Sequence, residues 1–128
     1  MRCLIVDDSA QFAEAARALF ENEGFDVVGV APNSADALRL FAELDPDVTL
    51  VDVNLGRDNG FELVDQLHQA HSSGPSLLIL ISTRAAQDFS KAIATSPAIG
   101  FLSKYDLTPR AVRELVERSA GPQKGESR

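Results

Sequence analysis

The residues Val48-Thr49-Leu50-Val51-Asp52 are the most informative segment of this chain for its architecture. A near-continuous hydrophobic run of this length is typical of a parallel strand that is buried on both faces. The run ends at a carboxylate, and the carboxyl ends of parallel strands form the edge where ligands bind in open α/β sheets. The segment therefore predicts a central strand that presents Asp52 at a binding edge.

Three further apolar runs also lead to polar side chains at their carboxyl ends. They are residues 4–6 before Asp7 and Asp8, residues 77–81 before Ser82, and residues 99–102 before Lys104. Residues 25–30 form a fifth predicted strand. In one parallel sheet, these strands would bring three carboxylates, a hydroxyl and an amine to a single edge.

Helical patterns alternate with the strands, over residues 10–23, 35–44, 61–69, 85–95 and 109–118. Ser9, Ser34 and Thr108 are predicted N-caps, Gly24 ends the first helix, and Pro109 begins the last. The predicted inward residues of the first two helices are Phe12, Ala15, Ala16, Leu19 and Phe20, then Ala37, Leu38, Phe41 and Ala42. The alternation predicts an α/β fold, a doubly wound five-stranded parallel sheet with five helices on both faces.

The 128 residues fit one domain, without an internal repeat. The domain is predicted to cover residues 1–120, followed by a polar, frayed tail at 121–128. Residues 53–59 are predicted to be a loop that carries Gly56, and residues 72–75 a turn.

The composition excludes several classes of protein. A net charge of −7 argues against direct nucleic-acid binding by this domain, which would need a basic face. No apolar run approaches the roughly 20 residues that cross a bilayer, and the start of the chain is not a signal peptide. The single cysteine, Cys3, cannot form an internal disulfide and is predicted to be a small buried hydrophobe. We therefore expect a cytoplasmic protein that makes no membrane contact.

Three neighbouring carboxylates, Asp7, Asp8 and Asp52, would repel one another and need a compensating cation. Mg²⁺ prefers oxygen ligands and keeps several waters. We expect Asp8 and Asp52 to bind it directly and Asp7 to hold a metal-bound water. The backbone carbonyl of Asn54 is the expected third ligand. Asp52 is the central carboxylate, and a carboxylate that attacks a phosphoryl group gives an aspartyl phosphate.

The other polar groups suit the charge of a transferred phosphoryl group, whose transition state spreads negative charge over three oxygens. Lys104 supplies a compact positive charge, and Ser82 supplies a hydroxyl donor. Each residue alone has an ordinary structural interpretation, as a helix cap, a solvated charge or a turn residue. Their joint placement at one sheet edge favours the functional interpretation.

Together these motifs resemble the receiver domain of two-component response regulators, over roughly residues 2–119. The matching segments are Leu4-Ile5-Val6-Asp7-Asp8-Ser9, Val51-Asp52-Val53-Asn54-Leu55 with Gly60, Ser82, and Gly100-Phe101-Leu102-Ser103-Lys104. The resemblance implies the flavodoxin-like strand order 2-1-3-4-5. It also implies Mg²⁺-dependent phosphoryl transfer onto Asp52 from a sensor histidine kinase or a phosphotransfer protein.

The resemblance further implies a switch, in which Ser82 moves towards the phosphoryl oxygens and Phe101 turns into the vacated space. The surface of the fourth helix, fifth strand and fifth helix would then change shape and act on a downstream target or output domain. Residues expected on it are Phe89, Lys91, Ser103, Tyr105 and Arg113. Whether this surface pairs with a second copy to form a homodimer is left open.

Some positions depart from the commonest pattern of the family. Gly56 stands where proline is frequent, which predicts a more mobile loop. Phe101 replaces a frequent tyrosine, and Thr83 replaces a smaller residue. Tyr105 follows Lys104 where proline is frequent. We expect a trans bond there, because a non-proline cis bond costs about 2.5–4 kcal/mol.

Three other functions compete with this one. A phosphatase of the haloacid-dehalogenase type is disfavoured because Asn54 stands where such an enzyme needs a second aspartate. The only chemistry expected is therefore the chain's own phosphorylation and dephosphorylation. A phosphorylation-independent binding module commonly lacks one of the site residues, and this chain has them all. A receiver fragment of a longer regulator with a DNA-binding output domain stays open. His68 and His71 are predicted to be surface residues.

Overall fold

The computed structural model describes the backbone of residues 1–70 and 76–126, and side chains as far as Ser119. The strands are β1 Arg2–Val6, β2 Asp26–Ala31, β3 Val48–Asp52, β4 Asn54–Leu55, β5 Asp58–Asn59, β6 Leu77–Ser82 and β7 Gly100–Ser103. The helices are α1 Ala10–Asn22, α2 Ser34–Leu44, α3 Gly60–Ala70, α4 Ser90–Thr95 and α5 Pro109–Glu126. A 3₁₀ turn, Ala86–Phe89, precedes α4.

The main sheet is parallel throughout, in the order β2-β1-β3-β6-β7. Counted among these five strands alone, the order is 2-1-3-4-5, which confirms the predicted doubly wound architecture. β3 is central and all five of its residues are buried, as its hydrophobic run predicts. The pairings of Val6 with Val51 and of Asp52 with Ile81 bring the carboxyl ends of neighbouring strands level at one edge.

Helices cover both faces of the sheet and create two hydrophobic clusters. The first packs α1 and α5 against the sheet, through residues such as Phe20 and Val112. The second packs α2 and α3 against the other face, through residues such as Phe41 and Leu63. Cys3 is buried in the first cluster, as predicted, and burial raises the pKa of its thiol to about 12. Within the described ranges, no helix is long and apolar enough to span a bilayer.

Capping residues explain the ends of two helices as predicted. Ser9 caps α1, because its hydroxyl oxygen accepts from the Phe12 amide at 3.2 Å. Gly24 follows α1 with a φ of +92°, a left-handed conformation that glycine adopts without strain. Thr108 accepts from a backbone amide of α5 at 3.0 Å, and Pro109 is the first helical residue.

Two other helix starts differ from the prediction. Asn33 caps α2 instead of Ser34, because Asn33 Oδ1 accepts from the Asp36 amide at 2.8 Å and Ser34 is already helical. Serine and asparagine are equally good caps, so the sequence did not separate them. The helix predicted over residues 85–95 is divided into the 3₁₀ turn and α4, neither of which has a side-chain cap. Without a cap, the first turn tightens into 3₁₀ geometry.

The last helix is longer than predicted. α5 continues past Arg118 to Glu126, so most of residues 121–128 is helical instead of a frayed tail. Glycine and proline at positions 121 and 122 lower helix propensity but do not forbid a helix. The turn predicted at 72–75, His71 and residues 127–128 lie outside the described residues, and His68 is exposed on α3, as predicted.

The inward stripes of α1 and α2 are narrower than predicted. The residues found buried are Ala13, Ala16 and Phe20 in α1 and Ala37 and Phe41 in α2. The residues predicted to face inward but found exposed are Ala15, Leu19 and Ala42. Each helix contacts the sheet along a line of residues three or four apart, so apolar residues beside that line face solvent.

Thr49 is a buried residue of β3 whose hydroxyl oxygen has no hydrogen-bond partner among the described residues. A buried polar group left without a partner costs about 1–3 kcal/mol. We therefore expect Thr49→Val to raise the free energy of unfolding by about 1 kcal/mol, measured by chemical denaturation.

Thr108→Val is a matched control, because it is expected to lower the free energy of unfolding instead of raising it. The Thr108 hydroxyl accepts from the Ala111 amide at 3.0 Å, and loss of a threonine N-cap costs about 0.5–2 kcal/mol. A Thr49→Val variant that is destabilised like Thr108→Val would contradict the interpretation of Thr49.

Candidate functional site

Five polar residues singled out in the sequence meet at the carboxyl edge of the main sheet. Asp7 and Asp8 follow β1, Asp52 ends β3, Ser82 ends β6 and Lys104 follows β7. Carboxylate oxygens of the three aspartates all lie within 4.8 Å of one another. Asp7 and Asp52 are buried, whereas Asp8 is exposed. The structure thus brings together residues that are far apart along the chain.

Backbone amides hold one oxygen of each buried carboxylate. The Ser9 amide donates to Asp7 Oδ1 at 2.8 Å, and the Asn54 amide donates to Asp52 Oδ1 at 3.1 Å. In both turns an aspartate accepts from the amide two residues ahead, which fixes the side chain locally. The other oxygen, Oδ2, of each carboxylate contacts Lys104.

Lys104 places its ammonium group between the two buried carboxylates. Its Nζ lies 2.7 Å from Asp7 Oδ2 and 3.2 Å from Asp52 Oδ2, and its side chain is 11% exposed. The backbone amide of Lys104 donates to the Ser82 carbonyl at 2.8 Å and so positions the side chain. Burial lowers the pKa of the ammonium, but hydrogen bonds and charges from Asp7 and Asp52 outweigh burial and raise the pKa overall.

The carboxyl group of Asp52 has a pKa above its ordinary value. Burial is the largest cause, and the charge of Asp7 raises the pKa further. The amide of Asn54 and the ammonium of Lys104 act in the opposite direction without cancelling the effect. The folded environment therefore disfavours the negative charge of Asp52.

The donor atoms at this edge fit a hard divalent cation. One ammonium does not neutralise three carboxylates, so the edge carries excess negative charge. Asp7 Oδ2 faces the Lys104 ammonium at 2.7 Å and has no other partner among the described residues. Mg²⁺ is commonly bound by one or two carboxylates and several waters. Asn54, whose carbonyl is the predicted third ligand, is exposed at the start of β4.

A cavity of about 550 Å³ lies beside the acidic cluster. Its lining includes Asp8, Asp52, Ser82, Thr83, Lys104, Phe89, Arg57 and Arg84. The two arginines are exposed and place positive charge at the cavity wall, where an incoming anion would pass. Sequence reasoning missed Arg57, because only the turn between β4 and β5 brings it to the cavity.

Ser82 is buried beside this cavity, with 3% exposure. Its Oγ accepts from the Arg84 amide at 3.0 Å. A hydroxyl that accepts a hydrogen bond still has its proton to donate. The hydroxyl proton of Ser82 is therefore available for donation to an anion in the cavity.

Phe101 lies in β7 next to a row of aromatic rings. Its centroid is 6.0 Å from that of Phe89, which is 5.7 Å from that of Phe61. Phe101 is half-buried against the second hydrophobic cluster, whereas Phe89 lines the cavity. The ring contact therefore links the residue predicted to switch with the cavity wall.

The loop after Asp52 is a hairpin instead of the irregular loop predicted. β4 and β5 pair around a turn at Gly56 and Arg57, and Gly56 has a φ of +69°. Proline could not adopt this conformation, because its ring fixes φ near about −65°. Asp58 Oδ2 accepts from the Ser34 amide at 2.9 Å and ties the hairpin to α2. The sequence missed this pairing because its two strands have only two residues each.

The predicted switch surface is assembled only in part. Tyr105 is 83% exposed and follows Lys104 through a trans peptide bond, as predicted. The prediction that Arg113 lies on this surface is wrong. Its guanidinium lies 4.8 Å from the centroid of the Phe25 ring and contacts the carbonyl of Glu23, near the end of α1. This cation–π contact holds the arginine against the segment between α1 and β2.

Comparisons with known proteins agree with this geometry. A family model described as the response regulator receiver domain matches residues 3–117. Protein-glutamate methylesterase/protein-glutamine glutaminase 3 of Burkholderia thailandensis is 33% identical over 110 residues, which cover 84% of this chain and 30% of that protein. The DNA-binding transcriptional activator EvgA of Escherichia coli K12 is 26% identical over 106 residues, which cover 83% of this chain and 51% of that protein. The chain spans about half the length, or less, of these relatives.

A solved structure shares the fold. The LuxR-family two-component response regulator from Aurantimonas sp. SI85-9A1 matches with a TM-score of 0.79 at 26% identity, over 94% of this chain and 85% of that one. The family match covers the acidic edge and, apart from Arg2, every residue of the five strands of the main sheet. This chain therefore belongs to the response regulator receiver domain family of two-component signal transduction.

Proposed function

We propose that this receiver domain is a phosphorylatable switch in which Asp52 accepts a phosphoryl group in the presence of Mg²⁺. The arrangement around Asp52 carries the proposal. One carboxylate oxygen is held by the Asn54 amide at 3.1 Å, and the other lies 3.2 Å from the Lys104 ammonium, at the wall of a cavity. Receiver domains accept phosphoryl groups from sensor histidine kinases or phosphotransfer proteins, and we assign this chain a donor of that kind.

In the proposed reaction, a carboxylate oxygen of Asp52 attacks the phosphorus atom of a phosphohistidine. The new O–P bond forms while the P–N bond breaks, and the imidazole nitrogen keeps the electron pair and takes a proton. Lys104 exchanges its contact with Asp52 for a phosphoryl oxygen, and Ser82 donates to another. Both groups place positive charge or a donor where the transition state is negative.

Asp7, Asp8 and Asp52, with the backbone carbonyl of Asn54, are the groups that would hold Mg²⁺. When bound, the ion supplies charge neutralisation for the phosphoryl oxygens. Asp7 is already paired with Lys104 at 2.7 Å, so its role in our proposal is to hold a metal-bound water.

Phosphorylation would be communicated through Ser82 and Phe101. A phosphoryl oxygen draws the Ser82 hydroxyl inward, and Phe101 turns towards the space that this opens. Phe89 contacts Phe101 and lines the cavity, so we expect the Phe89 ring to shift when Phe101 turns. The change would be read on the surface formed by α4, β7 and the start of α5.

A small acyl phosphate tests this function directly. Acetyl phosphate with Mg²⁺ should add one phosphoryl group per chain, and a chelator should prevent the addition. Intact-mass spectrometry on acid-quenched samples measures the product. Steady hydrolysis of phosphate esters, without a labelled protein, would favour an enzyme of the phosphatase class instead.

Lys104→Ala should separate metal binding from phosphoryl transfer. The proposed metal ligands are elsewhere and a competing positive charge is removed, so Mg²⁺ affinity should be retained. Loss of one charged donor should lower the transfer rate by about 100-fold. Calorimetric titration with Mg²⁺ and the labelling assay measure the two effects. Asp8→Ala is the comparison, and an equal loss of Mg²⁺ affinity in Lys104→Ala would refute its role.

The downstream partner is proposed from the relatives. EvgA is a DNA-binding activator, whereas the Burkholderia relative is a methylesterase. We propose that the domain controls either an output domain in a longer regulator or a separate target in the cytoplasm. The reading frame after Arg128 tests the first alternative. Size-exclusion chromatography before and after phosphorylation tests whether the switch surface forms a homodimer.

A further inference from the structure

The ring of Phe12 contacts the ammonium group of Lys104. Nζ lies 4.3 Å from the ring centroid, within the range of a cation–π interaction. Phe12 belongs to the first turn of α1 and is half-buried against the first hydrophobic cluster. The sequence predicted it only as a core residue, because a side chain's direction towards a distant lysine leaves no local pattern.

The ring completes the surroundings of the ammonium group. An ammonium has three N–H donors. Asp7 Oδ2 at 2.7 Å and Asp52 Oδ2 at 3.2 Å account for two of its contacts, and the face of Phe12 supplies a third. Two anions and one aromatic face therefore enclose a side chain that is 11% exposed.

We propose that Phe12 is a positioning residue for phosphoryl transfer, acting through Lys104. Its ring face holds the ammonium at the acidic edge, where a phosphoryl oxygen would arrive. The inference rests on the proposed role of Asp52 as the acceptor. Without the ring, water and other rotamers of the long lysine side chain compete for this position, so fewer molecules present the charge correctly.

Two substitutions of Phe12 test the aromatic face. Phe12→Leu keeps an apolar side chain but removes the π system, whereas Phe12→Tyr keeps it. We expect the initial rate of labelling by acetyl phosphate with Mg²⁺ to fall by about 3- to 10-fold in Phe12→Leu. In Phe12→Tyr the rate should stay within about twofold of the unsubstituted protein.

A double-mutant cycle distinguishes positioning from a general effect on packing. In the Lys104→Ala background, Phe12→Leu should lower the rate no further, because its effect passes through the lysine. Phe20→Leu is the control: it makes the same change on α1, where the Phe20 ring packs against Phe25 at 5.0 Å. A further loss in the Lys104→Ala background, or an equal loss in Phe20→Leu, overturns the proposal.

A spectroscopic readout does not depend on phosphorylation. The ring current of Phe12 should shift the Lys104 Hε signals upfield in ¹³C–¹H spectra, and the shift should vanish in Phe12→Leu and persist in Phe12→Tyr. If the unsubstituted protein is not labelled although the shift is present, the proposed acceptor role of Asp52 is wrong, but the Phe12–Lys104 contact is supported. If labelling proceeds at the same rate with Phe12→Leu, the positioning role alone fails.

Discussion

Asp52→Asn is expected to accept no phosphoryl group from acetyl phosphate, because an amide has no anionic oxygen to attack phosphorus. The substitution preserves the shape of the side chain. Its carbonyl oxygen can still accept from the Asn54 amide, as Asp52 Oδ1 does at 3.1 Å. Intact-mass spectrometry measures the label. Undiminished labelling would place the acceptor elsewhere, and Asp8→Asn would then be the variant to examine.

The same variant should be more stable than the unsubstituted protein near neutral pH without divalent cations. Burial raises the pKa of Asp52, so the folded state holds this proton more tightly than the unfolded state. The stabilising contribution of such a carboxyl group is complete below its unfolded pKa and is lost as the pH rises through the folded pKa. Asparagine is uncharged, so the variant avoids the cost of burying a carboxylate, and Asp7 remains paired with Lys104.

The free energy of unfolding, measured for both proteins at several pH values, tests the direction of this stability difference. The extra free energy of unfolding of Asp52→Asn should be present at neutral pH. It should shrink as the pH falls to about 3, where Asp52 becomes protonated in both the folded and the unfolded state. A difference that stays constant with pH would show that the charge of Asp52 is not its cause.

Gly60→Ala is expected to destabilise the protein by about 3 kcal/mol, at the upper end of overpacking effects. A Cβ at Gly60 would lie 2.1 Å from the carbonyl oxygen of Asp52 and 2.7 Å from Cα of Val53. Both are backbone atoms, so no rotamer change relieves the clash. The Gly60 amide also donates to the Val53 carbonyl at 2.8 Å, and displacing it would disturb the β4–β5 hairpin that follows Asp52. Chemical denaturation and the labelling assay measure both losses.

Gly100→Ala is the matched control, because its clash involves a side chain. A Cβ at Gly100 would lie 2.8 Å from the terminal carbons of Leu115, and leucine can change rotamer to make room. We expect a cost below about 1.5 kcal/mol and unchanged labelling. Equal costs for the two glycines would mean that the backbone near Asp52 can move aside.

The sheet and its acidic edge could be predicted because they depend on patterns that repeat along the chain. The buried run of β3 ends at Asp52, the run of β1 is followed by Asp7, and the run of β6 ends at Ser82. Parallel strands share a carboxyl edge, so these ends converge whatever the details of packing. This geometric rule placed Asp7 and Ser82 beside Asp52 without any knowledge of distances.

The sequence did not reveal features that depend on a choice between near-equivalent options or on side-chain direction. Asn33 and Ser34 are both good helix caps, and only the position of the chain selects between them. The β4–β5 hairpin is too short to leave a periodic pattern. The approach of Phe12 to Lys104 and of Arg113 to Phe25 depends on where helices dock on the sheet.

The contacts of Lys104 also have a consequence for biogenesis. This lysine bonds to Asp52, 52 positions earlier, and pairs with Asp7 near the start of the chain. Contacts between distant segments form late, because closing a long loop costs conformational entropy before any contact is gained. The ion pairs of Lys104 with Asp7 and Asp52 therefore form only when β7 has docked. Under the proposed function, a chain whose β7 has not yet docked would lack the ammonium group beside Asp52, so we expect only fully folded molecules to accept a phosphoryl group.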